Sequence, residues 1–476
     1  MPVVVGVDSS TSACKVQVRD ADTGALVASG RAPHSTTTPP RSEQHPREWE
    51  DAFTTARAQA GVPDRHPPAA AAIAAQQHGL VVLDRAGDVL RPAKLWNDTE
   101  SAPDAARLVA ELPGGPRAWA DACGSVPVAS FTITKLAWLA RCEPDTLART
   151  ASVLLPHDWL TFRLTGARVT DRGDASGTGY WSPRDERYRV DLLAAVEGRL
   201  DWEAALPRVL GPLDPAGEWG AAGAVVGPGT GDNMAAALAL GLRPGDLVLS
   251  LGTSGTASAV SDHPTADPTG AVAGFADATG AFLPLACTLN ATKVTDAIAR
   301  LLGVGAEQFD ELALAAPPGA DGVVLVPHLD GERTPNRPDA TGTLTGLRSD
   351  TTREQLARAA VEGVVCNLLE AADALAPVDG ADGPHRVFLV GGGARSTAYR
   401  RVVADLTARP VVVPDADEPV ATGAAVQAAA VLHGCTFAEL ADAWALGAGD
   451  AIEPNPAVGR DAIRGAYAEA RLASGT

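Results

Sequence analysis

The chain opens on an almost unbroken apolar run, PVVVGVD, then gives way to small hydroxyl residues before apolar positions resume. Residues 5–16, VGVDSSTSACKV, read as apolar strand, Ser/Thr turn and second apolar strand, the pattern of a hairpin. The pattern returns at residues 249–260, LSLGTSGTASAV. Aligning Val7 with Leu251 places Asp8 on Gly252, Ser9 on Thr253, Ser10 on Ser254 and Ala13 on Ala257. Downstream, DADTGALV at 20–27 is echoed by ADATGAFL at 276–283, a second turn leading to a third strand. The second copy carries about a dozen extra residues between the two matches.

Two halves that begin with the same three-strand pattern predict a duplicated α/β domain, residues 1–244 and 245–476, with the break near GLRPGD at 241–246. The segment AAAIAAQQHGLVVLD reads as strand, loop and strand, and SFTITKLAWLARC has helical apolar spacing. HRVFLVGGGARSTAYRRVVADLTARPVVVP reads as strand, glycine loop, amphipathic helix and strand. APHSTTTPPRSEQHP and SDHPTADPTG are surface loops. The alanine-rich stretches after Asp232 and at 421–430 suggest closely packed helices, which would suit a hinge if they met between domains.

Composition narrows the function classes. A net charge of −19 argues against nucleic-acid or anionic-membrane binding, which needs a basic face. An anionic small molecule remains possible where amides or a metal neutralise it locally. The six cysteines are scattered without a C-x-x-C pair, so zinc and disulfide frameworks are not expected, and reduced, mostly buried thiols are. The N-terminus begins directly as a strand, and no apolar run approaches the ~18 residues that span a bilayer. The expectation is a soluble, cytoplasmic protein.

Candidate chemistry gathers in the small-residue turns. In GPGTGDNMAAALALG (227–241), glycines alternate up to Asp232 and Asn233 and a helical run follows. Bare amides at a helix N-terminus favour anions, yet an acid stands there; Asp232 is open as helix cap, metal ligand or base. Hydroxyls and amides of DSSTS (Thr11, Ser12) and SLGTSGT (Gly252, Thr253) could close on a polyphosphate, although neither turn is a Walker loop. Asp8 could give a hard oxygen to a divalent cation while Gly252 lets backbone approach phosphate. Lys15 is either a phosphate ligand or a solvated hairpin lysine. The turn VGGGARS (390–396) lets a ligand lie on the backbone, but it is not a Rossmann fingerprint.

Taken in order, GVDSSTS, QQHGLVVLD, LWND, LLPHDWL, GTGDN, SLGTSG, GERTP, GGGARS and GAAVQAA resemble the FGGY family of carbohydrate kinases over nearly the whole chain. The resemblance implies an actin-like ATPase architecture of two ribonuclease-H-like domains, with ATP in the cleft between them and Mg²⁺ as cofactor. It implies phosphorylation of a pentulose, D-xylulose first, with another ketose or polyol (ribulose, arabinitol, glycerol) as the alternative acceptor. Carried over, Asp232 is the catalytic base and Asp8 the phosphate-side acid near Mg²⁺. Gln77, His78 and Asn233 fall at the sugar, and Trp96, Asn97 and Asp98 could border it. Thr11, Ser12, Lys15, Gly252 and Thr253 fall at the phosphates, and Gly391, Gly392, Gly393 and Ala394 at the adenosine. His157, Asp158, Asp171, Asp174, His328, Glu332 and Arg333 are read as structural or interdomain polar residues. The departure is QQHG, where the branch acting on D-xylulose has Q-M-H-G; Gln77 adds a donor and an acceptor in place of a thioether. A homodimer follows only from the family habit. A nucleotide-driven switch of the same architecture would hydrolyse ATP without sugar and carry a peptide-binding module, and no extra domain is visible.

Overall fold

The N-terminal apolar run becomes strand β1 (Val3–Ser9), buried from Val4 onward, as a strand covered on both faces must be. It pairs antiparallel with β2 (Ala13–Asp20), which pairs antiparallel with β3 (Leu26–Pro33). On its other side β1 runs parallel to β4 (Ala70–Ala75), and β4 runs parallel to β5 (Ala224–Val226). The order is therefore β3-β2-β1-β4-β5. Later in the chain, β6 (Leu247–Leu251) pairs antiparallel with β7 (Gly255–Ala259), and β7 with β8 (Phe282–Thr288). β6 runs parallel to β9 (Val387–Val390), and β9 to β10 (Val411–Pro414). The order β8-β7-β6-β9-β10 repeats the first sheet strand for strand.

This computed structural model describes residues 1–63, 65–375, 385–415 and 417–474. Packing divides the chain into two units. The first joins Met1–Arg243, Asp262–Leu283 and Ala416–Gly447, and the second joins Pro244–Ser261, Pro284–Asp415 and Ala448–Thr476. The units thus differ from a division into 1–244 and 245–476, because two later segments pack with the first unit.

Helix Pro419–His433 explains the largest of these returns. It is buried from Ala421 to Ala430 and lies on β1 so closely that a Cβ at Gly6 would sit 2.0 Å from the Ala421 carbonyl oxygen. A Cβ at Gly423 would sit 1.7 Å from the carbonyl oxygen of Ala235, in helix Asp232–Ala239. The two alanine-rich helices therefore meet inside the first unit. On the sheet's other face, Val5, Val7, Val16 and Val18 pack with Trp49 and Phe53 of helix Pro46–Gln59 and with Trp159 of helix Pro156–Thr165. Each fully buried side chain of this kind contributes about 1.5–3 kcal/mol.

Both hairpins form, but their turns differ in length. Ser9 pairs with Cys14 across the first, whereas Leu251 pairs with Gly255 across the second. The gapless alignment consequently loses register after the turn: Ala13 begins β2, while Ala257 lies in the middle of β7. The echo of the second turn is real in structure. Asp20 N donates to Ala25 O at 2.9 Å and Asp277 N to Ala281 O at 3.1 Å. Each aspartate also uses Oδ1 to take amides of its own turn, Thr23 in one and Thr279 in the other. The extra residues of the second copy are a loop and an added strand, Val272–Ala276, ahead of Asp277. Helix Thr132–Cys142 forms where expected, and VGGGARS becomes β9, a 3₁₀ turn over Gly392–Arg395 and helix Thr397–Thr407. All six cysteines are free; Cys14, Cys123 and Cys366 are buried, and Cys142 is exposed. No single described helix is long and apolar enough to cross a membrane.

Candidate active site

The C-terminal end of β4 organises the first unit's polar residues. Asp8 and Ser9 pair with Ala74 and Ala75 on one side, and Thr230 and Gly231 pair with the same two residues on the other. Gln76, Gln77 and His78 continue directly from that strand end. Ligands in open α/β sheets bind at such carboxyl ends, and here the folding of three parallel segments brings Asp8, Gln77, His78 and Asp232 together.

Asp232 is the first residue of its helix, not its cap. Gly231 holds the cap position with an extended backbone and no side chain to offer. The carboxylate Oδ1 accepts the Asn233 backbone N–H at 2.8 Å and Asn233 Nδ2 at 3.1 Å. Oδ2 has no hydrogen-bond partner among the described residues. The side chain sits low in a recess, close enough to protein to be desolvated yet still reached by water. Burial, reinforced by the charge of Asp8, raises its pKa to about 7. Gly231 is required for a close approach, since a Cβ there would meet Gln77 Cγ at 2.6 Å. Gln77 Oε1 accepts Asn233 Nδ2 at 2.6 Å, and its own Nε2 is buried without a partner among the described residues. His78 adopts a left-handed backbone, φ 65°. Its Nδ1 lies 2.7 Å from the Gly177 carbonyl, which makes Nδ1 the protonated nitrogen. Its ring stacks on Phe131 at 5.2 Å and tilts against Phe275 at 5.7 Å. Neither aromatic was singled out from sequence, because each lies far along the chain with nothing local to mark it.

Asp8 is almost fully buried, and Lys15, its cross-strand partner, brings Nζ to 3.2 Å from Oδ2. Burial raises the Asp8 pKa to about 6 against the lowering by Lys15. Its Oδ1 is buried and unpartnered among the described residues, an oxygen that fits a hard divalent cation or its bound water. Lys15 also reaches Glu418 Oε2 at 2.5 Å; it is therefore not a solvated hairpin lysine. The Thr11 hydroxyl donates to Gln76 Oε1 at 3.1 Å and accepts Trp96 Nε1 at 2.9 Å. Its one proton is thereby used, and toward an anion Thr11 offers its backbone amide. Ser12 is exposed at the turn. Asp98 is turned away to Lys94 Nζ, 3.0 Å, and to the Ser42 amide, 2.9 Å, with no side-chain surface left.

Beneath the Asp232 turn lies a buried ionic cluster. His157 Nε2 stands 3.1 Å from Asp158 Oδ1, 3.4 Å from Asp171 Oδ1 and 3.4 Å from Asp174 Oδ2. Lost hydration works against the imidazolium, but the three carboxylates outweigh it and hold its pKa up at about 9. Asp171 Oδ2 accepts the Thr230 hydroxyl at 2.7 Å, and a Cβ at Gly229 would meet His157 Nδ1 at 2.6 Å. The cluster thus shapes the turn from below.

In the second unit, Gly391 and Gly393 pack on Leu251, the residue before Gly252; added Cβ atoms would lie 2.7 Å from its carbonyl oxygen and from its Cβ, respectively. Gly252, Thr253 and Gly391–Ala394 are thereby brought to one end of β6, with Thr253, Gly391 and Gly392 exposed. Gly252 O accepts the Thr292 amide at 3.0 Å. Glu332 serves the interior: its carboxylate accepts Asn290 Nδ2 and Asn367 Nδ2, each at 2.9 Å, and the Arg333 amide at 2.7 Å.

Two mixed sheets of one strand order, flanked by helices, are consistent with the actin-like ATPase fold. The chain belongs to the FGGY family of carbohydrate kinases: residues 3–239 match the family's N-terminal domain and residues 247–432 its C-terminal domain. It is 52% identical to the xylulose kinase of Streptomyces coelicolor over 466 residues, 96% of this chain and 94% of the relative. It is 36% identical to the xylulose kinase of Escherichia coli over 435 residues, 85% of this chain and 84% of that one. The crystal structure of xylulose kinase from Bifidobacterium adolescentis superposes with a TM-score of 0.87 at 42% identity, covering 99% of both chains.

Proposed function

We propose that this chain transfers the terminal phosphoryl group of ATP to D-xylulose, giving D-xylulose 5-phosphate and ADP. The observation that carries the reading is Asp232: a recessed carboxylate with one free oxygen and a pKa near 7, facing the strand end that holds Gln77 and His78. The similarity to xylulose kinases over nearly the whole chain supports the choice of sugar.

Asp232 Oδ2 takes the proton of the C5 hydroxyl as its oxygen attacks the γ-phosphorus, and the bond to the bridging β–γ oxygen breaks, leaving ADP. General-base help of this kind is worth about 10²–10⁴ in rate. Asn233 keeps the carboxylate oriented through Oδ1, and Gln77 in turn holds Asn233. His78, fixed by Gly177 and two aromatic rings, faces the sugar with its orientation already set. Asp8 Oδ1 would hold Mg²⁺, directly or through water; when bound, that ion neutralises charge on the phosphates. Lys15 and the amides of Thr11 and Ser12 serve the phosphates from the first unit. In the second unit, Gly252 and Thr253 are the phosphate-binding turn, and Gly391, Gly392, Gly393 and Ala394 bind the adenosine.

The test is ADP release from ATP–Mg²⁺ with D-xylulose, D-ribulose, L-xylulose, L-ribulose, glycerol and D-arabinitol. Strong stimulation by D-xylulose alone is expected. Preference for another compound would favour a second reading, another ketose or polyol, which the unpartnered Gln77 Nε2 motivates. Equal turnover without any sugar would overturn the kinase assignment.

A further inference from the structure

Glu418 is assigned no role by the family motifs, yet it closes the ion chain that begins at Asp8. Three side chains on one face of β2 engage the start of helix Pro419–His433. Lys15 meets Glu418 at 2.5 Å. Gln17 Oε1 accepts the Thr422 hydroxyl at 3.0 Å, and Arg19 Nη2 donates to the same hydroxyl at 2.9 Å. The second and third contacts hold this segment on β2 without help from Glu418. Glu418 itself has a left-handed backbone, φ 51°, ψ 62°, and caps the helix with no side-chain hydrogen bond. That conformation is costly for a residue bearing a Cβ, and what it achieves here is to aim the carboxylate at Lys15.

The two acids that share Lys15 are unequal. The Asp8 side chain is 3% exposed and fixed in the strand, whereas that of Glu418 is 44% exposed and has no other partner among the described residues. When a polyphosphate arrives, Asp8 cannot move and Glu418 can turn into water. We propose that Glu418 is the resting counter-ion of Lys15, holding its ammonium against Asp8 until the terminal phosphate of the nucleotide takes the carboxylate's place. The exchange is one of ion pairs, with no bond made or broken. Glu418 is a positioning residue acting through Lys15, and the inference rests on the assignment of Lys15 to the phosphates.

The test is calorimetric binding of a non-hydrolysable ATP analogue with Mg²⁺ to the full chain. Glu418→Gln should tighten binding about fivefold, the size expected of a partly exposed ion pair, and lower the KM for ATP while leaving that for sugar unchanged. Glu418→Asn, which suits the left-handed backbone better, should match it if charge is the cause. In a Lys15→Met background the Glu418→Gln effect should vanish. Unchanged or weaker binding in Glu418→Gln would overturn the proposal, as would tightening that survives in Lys15→Met. Binding without sugar turnover would overturn the kinase reading alone; no binding to any variant would overturn both.

Discussion

The two hairpins at β1–β2 and β6–β7 share strand order and a small-residue turn, and differ in charge and length. The first turn bridges Ser9 to Cys14 and is flanked by a buried acid, Asp8 on β1, and its lysine, Lys15 on β2, which also meets Glu418 at the start of helix Pro419–His433. The second bridges Leu251 to Gly255 directly and carries no charge, only Gly252, Thr253 and Ser254. A duplicated frame therefore holds two different surfaces: carboxylates beside a strand end in one unit, bare amides and a glycine loop in the other. The first suits a hydroxyl to be deprotonated and a cation; the second suits an anion.

The sharpest way to break this contrast is to neutralise one acid. Asp232→Asn should lower kcat about a thousandfold with the fold intact by circular dichroism. Thr253→Ala should raise the KM for ATP by less than about tenfold and leave kcat near normal. Comparable kcat losses in both would erase the division of labour. Stability should divide the hairpins as well. Gly6→Ala forces a Cβ within 2.0 Å of the Ala421 carbonyl oxygen and should cost about 3 kcal/mol or more, read as a lower Tm. At Gly252 the nearest atom is Ser254 O at 3.3 Å, so Gly252→Ala should stay within about 0.5 kcal/mol of the parent. A pH profile sharpens the picture on the first unit's side. Asp232 must be ionised to act as base, so kcat/KM should fall as pH drops below about 7, roughly tenfold per unit. Asp8→Asn removes one of the two causes of that raised pKa and should move the limb to lower pH.

How far these features could be read beforehand depended on how local they are. Hairpins, the glycine-loop helix and the Asp20 and Asp277 turns declare themselves within a few residues, and all are present. The return of helix Pro419–His433 to the first sheet was not legible, because its only local sign is a run of small residues. The fit of Gly6 on Ala421 and of Gly423 on Ala235 is a property of two surfaces, not of either segment. For the same reason Asp232 could not be separated from a helix cap by spacing: one residue decides it, and Gly231 takes the cap. Glu418 escaped notice because its partner Lys15 lies at the other end of the chain.

The smallest expected effect separates the units by pH rather than by substitution. In the first, His157 among Asp158, Asp171 and Asp174 has its folded pKa raised to about 9. Its contribution is complete below the unfolded value of about 6.5 and is lost as pH rises through 9. In the second, burial of His328, beside Asn367 Oδ1 at 3.2 Å, holds its pKa below the ordinary value. That contribution is complete above about 6.5 and is lost as pH falls below it. Hydrogen-exchange protection should therefore weaken first in β4 and helix Pro156–Thr165 as pH rises from 7 to about 9.5, and first in strand Val324–Val326 and helix Arg353–Ala374 as pH falls below about 6.5. His157→Gln should abolish the alkaline arm and leave the acid arm in place. Parallel loss in both units at both extremes would mean that the buried clusters do not set local stability, and the contrast would then rest on the two turns alone.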